Sequence, residues 1–423
     1  MTNRTRWTRL AVLMVLAVPV ALVGTTALAD WELGMTYYKQ GKYVEAIAEF
    51  EATLATAPEY DFGYYMVGNC YLKLKKYNDA VVNYKKAIDL EPGKFAYHAA
   101  LAQAQLILKR YSDVVATLDR AESLASNARE KQILHRTRGL ALANLKQWQR
   151  AIADLKQAQP EKNFSVALAL GGACRATGDF ACSKSAFEKA LKLEPDNEAA
   201  LSQYTSALLE SAVREKNDAK AAQDYKRAVE IARRLVKVND TPDAHKKLGD
   251  ALLGAKRYKE AVAEYQQVLA REPNNCAAML SIAQALVPLE DWNGTVEWGR
   301  KAASCGKNKH LGYNQMAFAY IKMHKWDEAI AAADKSLAVK PNSTAQQLKQ
   351  TAIQKKETEL HNKRIAEEEK RQQELLEAEK RRLAEEERKR REWEIRQGIA
   401  KGDKSKEDGS KKGGSGSGGG DGL

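Results

Sequence analysis

Few side chains in this 423-residue chain are of the types that carry covalent or metal chemistry. The six histidines are His98, His135, His245, His310, His324 and His361, and of these His310, His324 and His361 have no second candidate ligand at metal spacing. The sequence contains no HExxH, no glycine-rich phosphate loop and no nucleophile elbow. Catalysis, a metal centre and a bound cofactor are therefore not expected. Cysteine remains: Cys70, Cys174, Cys182, Cys276 and Cys305. In an oxidising compartment an odd count leaves at least one thiol without a partner inside the chain.

The N-terminus points to such a compartment. Arg4, Arg6 and Arg9 precede an apolar run from Leu10 to Val23, and Ala27-Leu28-Ala29 supplies small residues where a signal peptidase reads. Residues 1–29 read as a signal peptide cut before Asp30, because the apolar run is short for a membrane span and Gly24, Thr25 and Thr26 follow it. No cysteine near the cut supports lipid attachment. The expected location is the periplasm or cell envelope. Losing the three arginines takes the formal charge from +13 to +10, spread without a compact basic block. Nucleic acid is not an expected partner, whereas contact with an anionic membrane surface is a weak electrostatic expectation.

The elements that hold these residues follow from a repeat. Leu33-Gly34, Tyr43, Ala46, Phe50 and Pro58 recur thirty-four residues later as Val67-Gly68, Tyr77, Ala80, Tyr84 and Pro92. Small residues let two helices approach, an aromatic fills the hollow beside them, and proline stops the second helix. The frame continues through Leu101-Ala102, Gly139, Leu170-Gly171, a degenerate Tyr204-Thr205, Leu248-Gly249, Ile282-Ala283 and Met316-Ala317. Five of the nine prolines (Pro58, Pro92, Pro195, Pro273 and Pro341) share one repeat position, which chance does not produce readily.

This pattern resembles the tetratricopeptide repeat, and the resemblance implies an all-α superhelical solenoid of about nine hairpins binding proteins rather than catalysing a reaction. Units one to six cover 30–240 and units seven to nine cover 241–341. The long sixth unit is either a joint between these blocks or a longer hairpin in one continuous superhelix. Within the frame, His98, His135 and His245 fall where the repeat uses a bulky packing residue. Cys276 and Cys305 lie at opposite ends of unit eight, and antiparallel helices bring those ends together; Cys174 and Cys182 flank the turn of unit five. Both pairs can form disulfides, or remain small buried thiols where alanine would also fit. Cys70 reads as the buried free thiol.

The resemblance also implies which first-helix positions line the inner groove. In units one and two these are Trp31, Met35, Tyr38, Lys39, Phe62, Tyr65, Asn69, Leu72 and Lys73. They suit an apolar, aromatic-anchored peptide or helix with an acidic flank near Lys39 and Lys73. The plainer alternative is that Trp31 caps the first hairpin and the tyrosines pack locally. The family's carboxylate clamp is not reproduced, since Tyr65 stands where it needs lysine.

Residues 342–397 read as a capping turn followed by one long charged helix, with Ala345, Leu348 and Ala352 covering unit nine. Seven Glu-to-Lys/Arg pairs beyond Lys356, from Glu359/Lys363 to Glu392/Arg396, have the acid four residues before the base. Only Leu376 and Leu383 keep heptad spacing, so an isolated helix, hence a monomer, is favoured over a coiled-coil dimer. Residues 398–423 form a Gly/Ser-rich tail with the composition of a disordered segment. The functions to weigh are a protein-binding scaffold of the envelope, a structural spacer whose charged helix acts as a strut, and a non-catalytic subunit that activates a partner.

Overall fold

The computed structural model of the chain describes residues 31–398; the expected signal peptide and the tail beyond Gly398 lie outside the described residues. Helices follow one another as antiparallel hairpins. The first four pair α1 (31–39) with α2 (Tyr43–Thr56), α3 (Asp61–Lys73) with α4 (Tyr77–Leu90), α5 (Phe95–Ile107) with α6 (Tyr111–Arg120), and α7 (Ala128–Asn144) with α8 (Trp148–Gln157). Five more pair α9 (Phe164–Thr177) with α10 (Phe180–Leu193), α11 (Glu198–Arg214) with α12 (Asp218–Val238), α13 (Pro242–Gly254) with α14 (Tyr258–Arg271), α15 (Cys276–Leu286) with α16 (Trp292–Ser304), and α17 (Lys309–Lys322) with α18 (Trp326–Val339). The long helix α19 spans Ser343–Arg396. The protein is an all-α solenoid, with no strand among the described residues.

One steric lock repeats inside the hairpins. A β-carbon on Gly34 would come within 2.7 Å of the Phe50 ring, one on Gly68 within 2.6 Å of Tyr84, one on Gly171 within 2.7 Å of Phe187, and one on Gly249 within 2.7 Å of Tyr265. Each pair has the same sequence offset, so the large side chain of the second helix always rests on the bare backbone of the first. Phe50, Tyr84, Phe187 and Tyr265 are fully buried there. Burying such a ring contributes about 2 kcal/mol, and a side chain in place of the glycine would displace it.

Nine helix starts carry side-chain caps, whereas α2 to α6, α8, α14, α17 and α18 begin without one. Asn127, Asn163, Asn197, Asn217, Asn275 and Asn342 each accept a backbone N–H three residues on, as do Asp179, Asp291 and Thr241. The apolar core runs without a gap from Ala167 of α9 through Leu208 of α11 and Ile231 of α12 to Leu248 of α13 and Ile282 of α15.

The cysteines occupy hairpin ends. Cys174 is bonded to Cys182 and Cys276 to Cys305, with Cα atoms 5.8 Å apart in both, while Cys70 is free and buried. At the C-terminal end, Ala345 and Ala352 of α19 are buried against α17 and α18. The docking extends to Glu359, which accepts from Trp326 Nε1, and to Lys356, which pairs with Asp327. Beyond it, two of the seven acid-before-base pairs close in the structure, Glu377–Arg381 at 3.8 Å and Glu385–Lys389 at 3.0 Å. Lys370–Glu374, Arg382–Glu386 and Arg388–Glu392 have the base first. A balanced charge run offers each side chain partners on both sides, and at full exposure the difference between them is a few tenths of a kcal/mol.

Candidate partner-binding groove

First helices of successive units pack side by side and form one face of the array. Between α3, α5 and α7 this face opens into a cleft of about 700 Å³. Tyr65, Asn69 and Leu72 of α3 form one wall. The floor is α5, where Ala96, Ala99 and Ala100 leave the backbone nearly bare. The far wall is α7, with Arg129, Ile133, Arg136 and Leu140. Alanine on the floor creates depth, and the apolar walls with two guanidinium groups set what fits; Glu130 also lines the cleft, its carboxylate accepting from Ser126.

Of the nine residues suggested by the sequence, Tyr65, Asn69 and Leu72 line this cleft. Trp31 packs against Phe50, Tyr60 and Phe62, at ring distances of 4.8, 5.1 and 5.7 Å. Tyr38 lies edge-on to Tyr43, and burial raises its phenol above the usual range. Met35 packs with the same half-buried cluster, and Lys39 and Lys73 are exposed. Phe62 stacks on Tyr65, which in turn lies 4.9 Å from Tyr97. The aromatics thus form a connected row ending at the cleft wall. Asn69 is held by the Tyr84 hydroxyl, which donates to its Oδ1 at 2.8 Å.

Arg129, Ile133, Arg136 and Leu140 were missed in the sequence, although Ile133, Arg136 and Leu140 stand in unit four at the same inner positions used to choose Phe62, Tyr65 and Asn69. What the repeat does not reveal is how α7 is held. Arg138, buried on its outer side, donates through Nε to Asp154 Oδ2 at 2.7 Å, through Nη1 to Asp119 at 2.9 Å and through Nη2 to Glu122 at 3.0 Å. His135 Nδ1 lies 2.9 Å from Asp154 Oδ1. Bonding to Arg138 lowers the Glu122 carboxyl below its usual range. The ion pairs of α7 run through His135 and Arg138, which leaves Arg129 and Arg136 unpaired among the described residues.

At the rim, Lys94 and Tyr97 donate to Asp61 Oδ2 at 2.5 and 2.6 Å. Burial alone would raise that carboxyl, and these bonds reverse the effect and lower it. Two further histidines are held by polar contacts: His98 Nε2 lies 2.9 Å from the Pro92 carbonyl, and His245 bridges Asp240 and Glu264. Only Cys174, Asp179 and Cys182 bring potential metal ligands together among the described residues. Their two sulfurs are bonded to each other, and Asp179 caps α10 by accepting from the Cys182 N–H at 3.0 Å.

Family models of the tetratricopeptide repeat match residues 62–94, 165–197, 213–275 and 246–305. Among solved structures, MamA of AMB-1 is 22% identical, aligned over 42% of this chain and 99% of its own, with a TM-score of 0.36. MamA from Desulfovibrio magneticus RS-1 is 19% identical over 43% of this chain and 95% of its own, with a TM-score of 0.37. The TPR domain of P58(IPK) is 14% identical over 79% and 99%, with a TM-score of 0.27. None of the curated proteins matches the chain.

Proposed function

The chain is a tetratricopeptide-repeat protein, and from that premise we propose that it is a non-enzymatic scaffold of the bacterial cell envelope, holding a partner peptide or helix in the cleft between α3, α5 and α7. The observation that carries this reading is the cleft's construction: an alanine floor, apolar walls at Leu72, Ile133 and Leu140, and two unpaired guanidinium groups. A helix laid on Ala96 and Ala99 would bury its apolar face and present a carboxylate to Arg129 or Arg136. Export is supported by the leader-like residues 1–29 and by the two disulfides.

The test is to replace Ala99 with Trp in the full chain. The indole would fill the floor from the open side, so partner co-purification should fall at least tenfold while the helical signal and melting temperature stay close to the parent's. Undiminished capture by a folded Ala99→Trp variant would rule the cleft out. A second role is favoured by one further observation. Residues 360–396 of α19 pack on nothing and, at about 1.5 Å per residue, extend about 55 Å from the array. This helix is a strut that sets the distance between the scaffold and whatever its far end meets.

A further inference from the structure

Eight of the nine hairpin turns hold one residue in the left-handed region, the turn of unit six being the exception. Units one and five use Gly41 at φ 76° and Gly178 at φ 80°. Four other units use lysine, Lys75 at φ 60°, Lys109 at 57°, Lys146 at 59° and Lys256 at 61°, while units eight and nine use Glu290 at 57° and His324 at 59°. A lysine there carries a steric penalty that glycine avoids, so local geometry does not explain the choice. A cation near a helix C-terminus is favourable, yet that benefit needs no left-handed residue to carry it.

Because successive helices are antiparallel, these turns lie along one edge of the solenoid. In units one to four the edge bears Lys42, Lys75, Lys76, Lys109, Arg110 and Lys146, all exposed. None of the six forms an ion pair among the described residues; Arg110 bonds only to Asn78, at 2.9 Å. The opposing acids are Glu45, Asp79 and Asp113, each in the first turn of a second helix, where the helix N-terminus already favours them. Half-exposed rings follow each basic turn: Tyr43, Tyr77, Tyr111 and Trp148 open α2, α4, α6 and α8. Lys42 lies 5.7 Å from the Tyr37 ring centre and Lys76 6.0 Å from that of Tyr71.

We propose that this edge docks on the surface of a bilayer containing anionic lipids, leaving the cleft on the inner face open to its protein partner. Lysine outnumbers arginine five to one among the six, which suits a diffuse plane of negative charge better than bidentate capture of single carboxylates. Aromatic rings beside lysines are the pairing that settles at the headgroup level. The residues sit on an outer edge of turns and line no cleft, so they fit a surface and not an inserted segment.

The test compares the full chain with the triple variant Lys75→Gly, Lys109→Gly and Lys146→Gly. Glycine relieves the left-handed turns, so the variant should keep its helical signal and melting temperature. Both are sedimented with vesicles of phosphatidylcholine alone and of phosphatidylcholine mixed with phosphatidylglycerol. Residues 1–29 are the same in both proteins, so any contribution from them cancels. The parent should prefer the anionic vesicles and lose that preference as added salt shortens the screening length. The variant should bind them about a hundredfold more weakly. Equal binding by parent and variant overturns the proposal, as does equal binding of the parent to both vesicle types. So does binding of soluble polyglutamate by a parent that ignores vesicles, which would assign the edge to an acidic protein.

Discussion

The hydroxyl of Tyr84 donates to Asn69 Oδ1 at 2.8 Å while its ring lies so close to Gly68 that a β-carbon there would approach it to 2.6 Å. Asn69 belongs to the cleft wall, so this one ring both closes a hairpin and fixes a groove residue. Gly68→Ala gains helix propensity worth about 1 kcal/mol, but it drives a methyl into a ring with no exposed surface to move into. A net loss of about 1–3 kcal/mol is expected by urea titration. Gly172→Ala is the control: its β-carbon meets only the amide end of Gln203, at 3.3 Å, and it should be neutral or stabilising.

Arg138 neutralises carboxylates from α6, α8 and the 3-10 turn Glu122–Leu124, with Asp154 buried beside it. Arg138→Met leaves Asp154 buried without its guanidinium and should cost about 3–5 kcal/mol. Acid should weaken this region and also the Asp240–His245 contact at the start of α13. Glu122 and Asp240 have folded-state pKa values below their usual ones, so their stabilisation is complete above the ordinary carboxylate range and is lost as pH falls through the lowered values. The urea midpoint should hold from neutral pH down to about pH 5 and drop below about pH 4. A midpoint that rises on acidification would contradict this assignment.

Burial pushes the Cys70 thiol up to about 12, which removes the reactive thiolate at neutral pH. The folded, unreduced protein should therefore take up no alkylating reagent. Unfolded without reduction it should take up one equivalent, at Cys70, with Cys174–Cys182 and Cys276–Cys305 recovered as linked peptides. Labelling of Cys276 or Cys305 before reduction would remove the second staple.

The contacts of α19 with the repeats end at Glu359. A stop after Asn362 should leave the melting temperature of the array nearly unchanged. A stop after Ser343 uncovers the face packed by Ala345 and Ala352 and should lower it by several degrees. Sedimentation should find both the full chain and the Asn362 product monomeric; self-association of the full chain alone would make the charged helix a dimer seam.

The solenoid was legible because its locks are local. Gly68 and Tyr84 lie in one hairpin, and steric demand writes the same residue types at the same offset in units one, two, five and seven. The long helix was legible for a related reason, since residues 344–397 lack Gly and Pro. The groove was legible only in part. Whether an inner-position aromatic lines a cleft or packs against its neighbours depends on the unit beside it: Trp31 turns onto Tyr60 and Phe62, whereas Tyr65 faces the bare alanines of α5. The Arg138 cluster draws acids from three elements that the repeat pattern does not connect, and no periodicity marks it.

The central claim is that the partner lies in the cleft between α3, α5 and α7. The most direct test places a photo-crosslinking amino acid at Ile133 on the cleft wall and, in a second protein, at Val82, which is exposed on the outer helix α4. Illumination of intact cells should give a discrete crosslinked partner from position 133, lost on adding Ala99→Trp, and none from position 82. The same partner captured from position 82, or capture from position 133 that survives Ala99→Trp, would contradict the account.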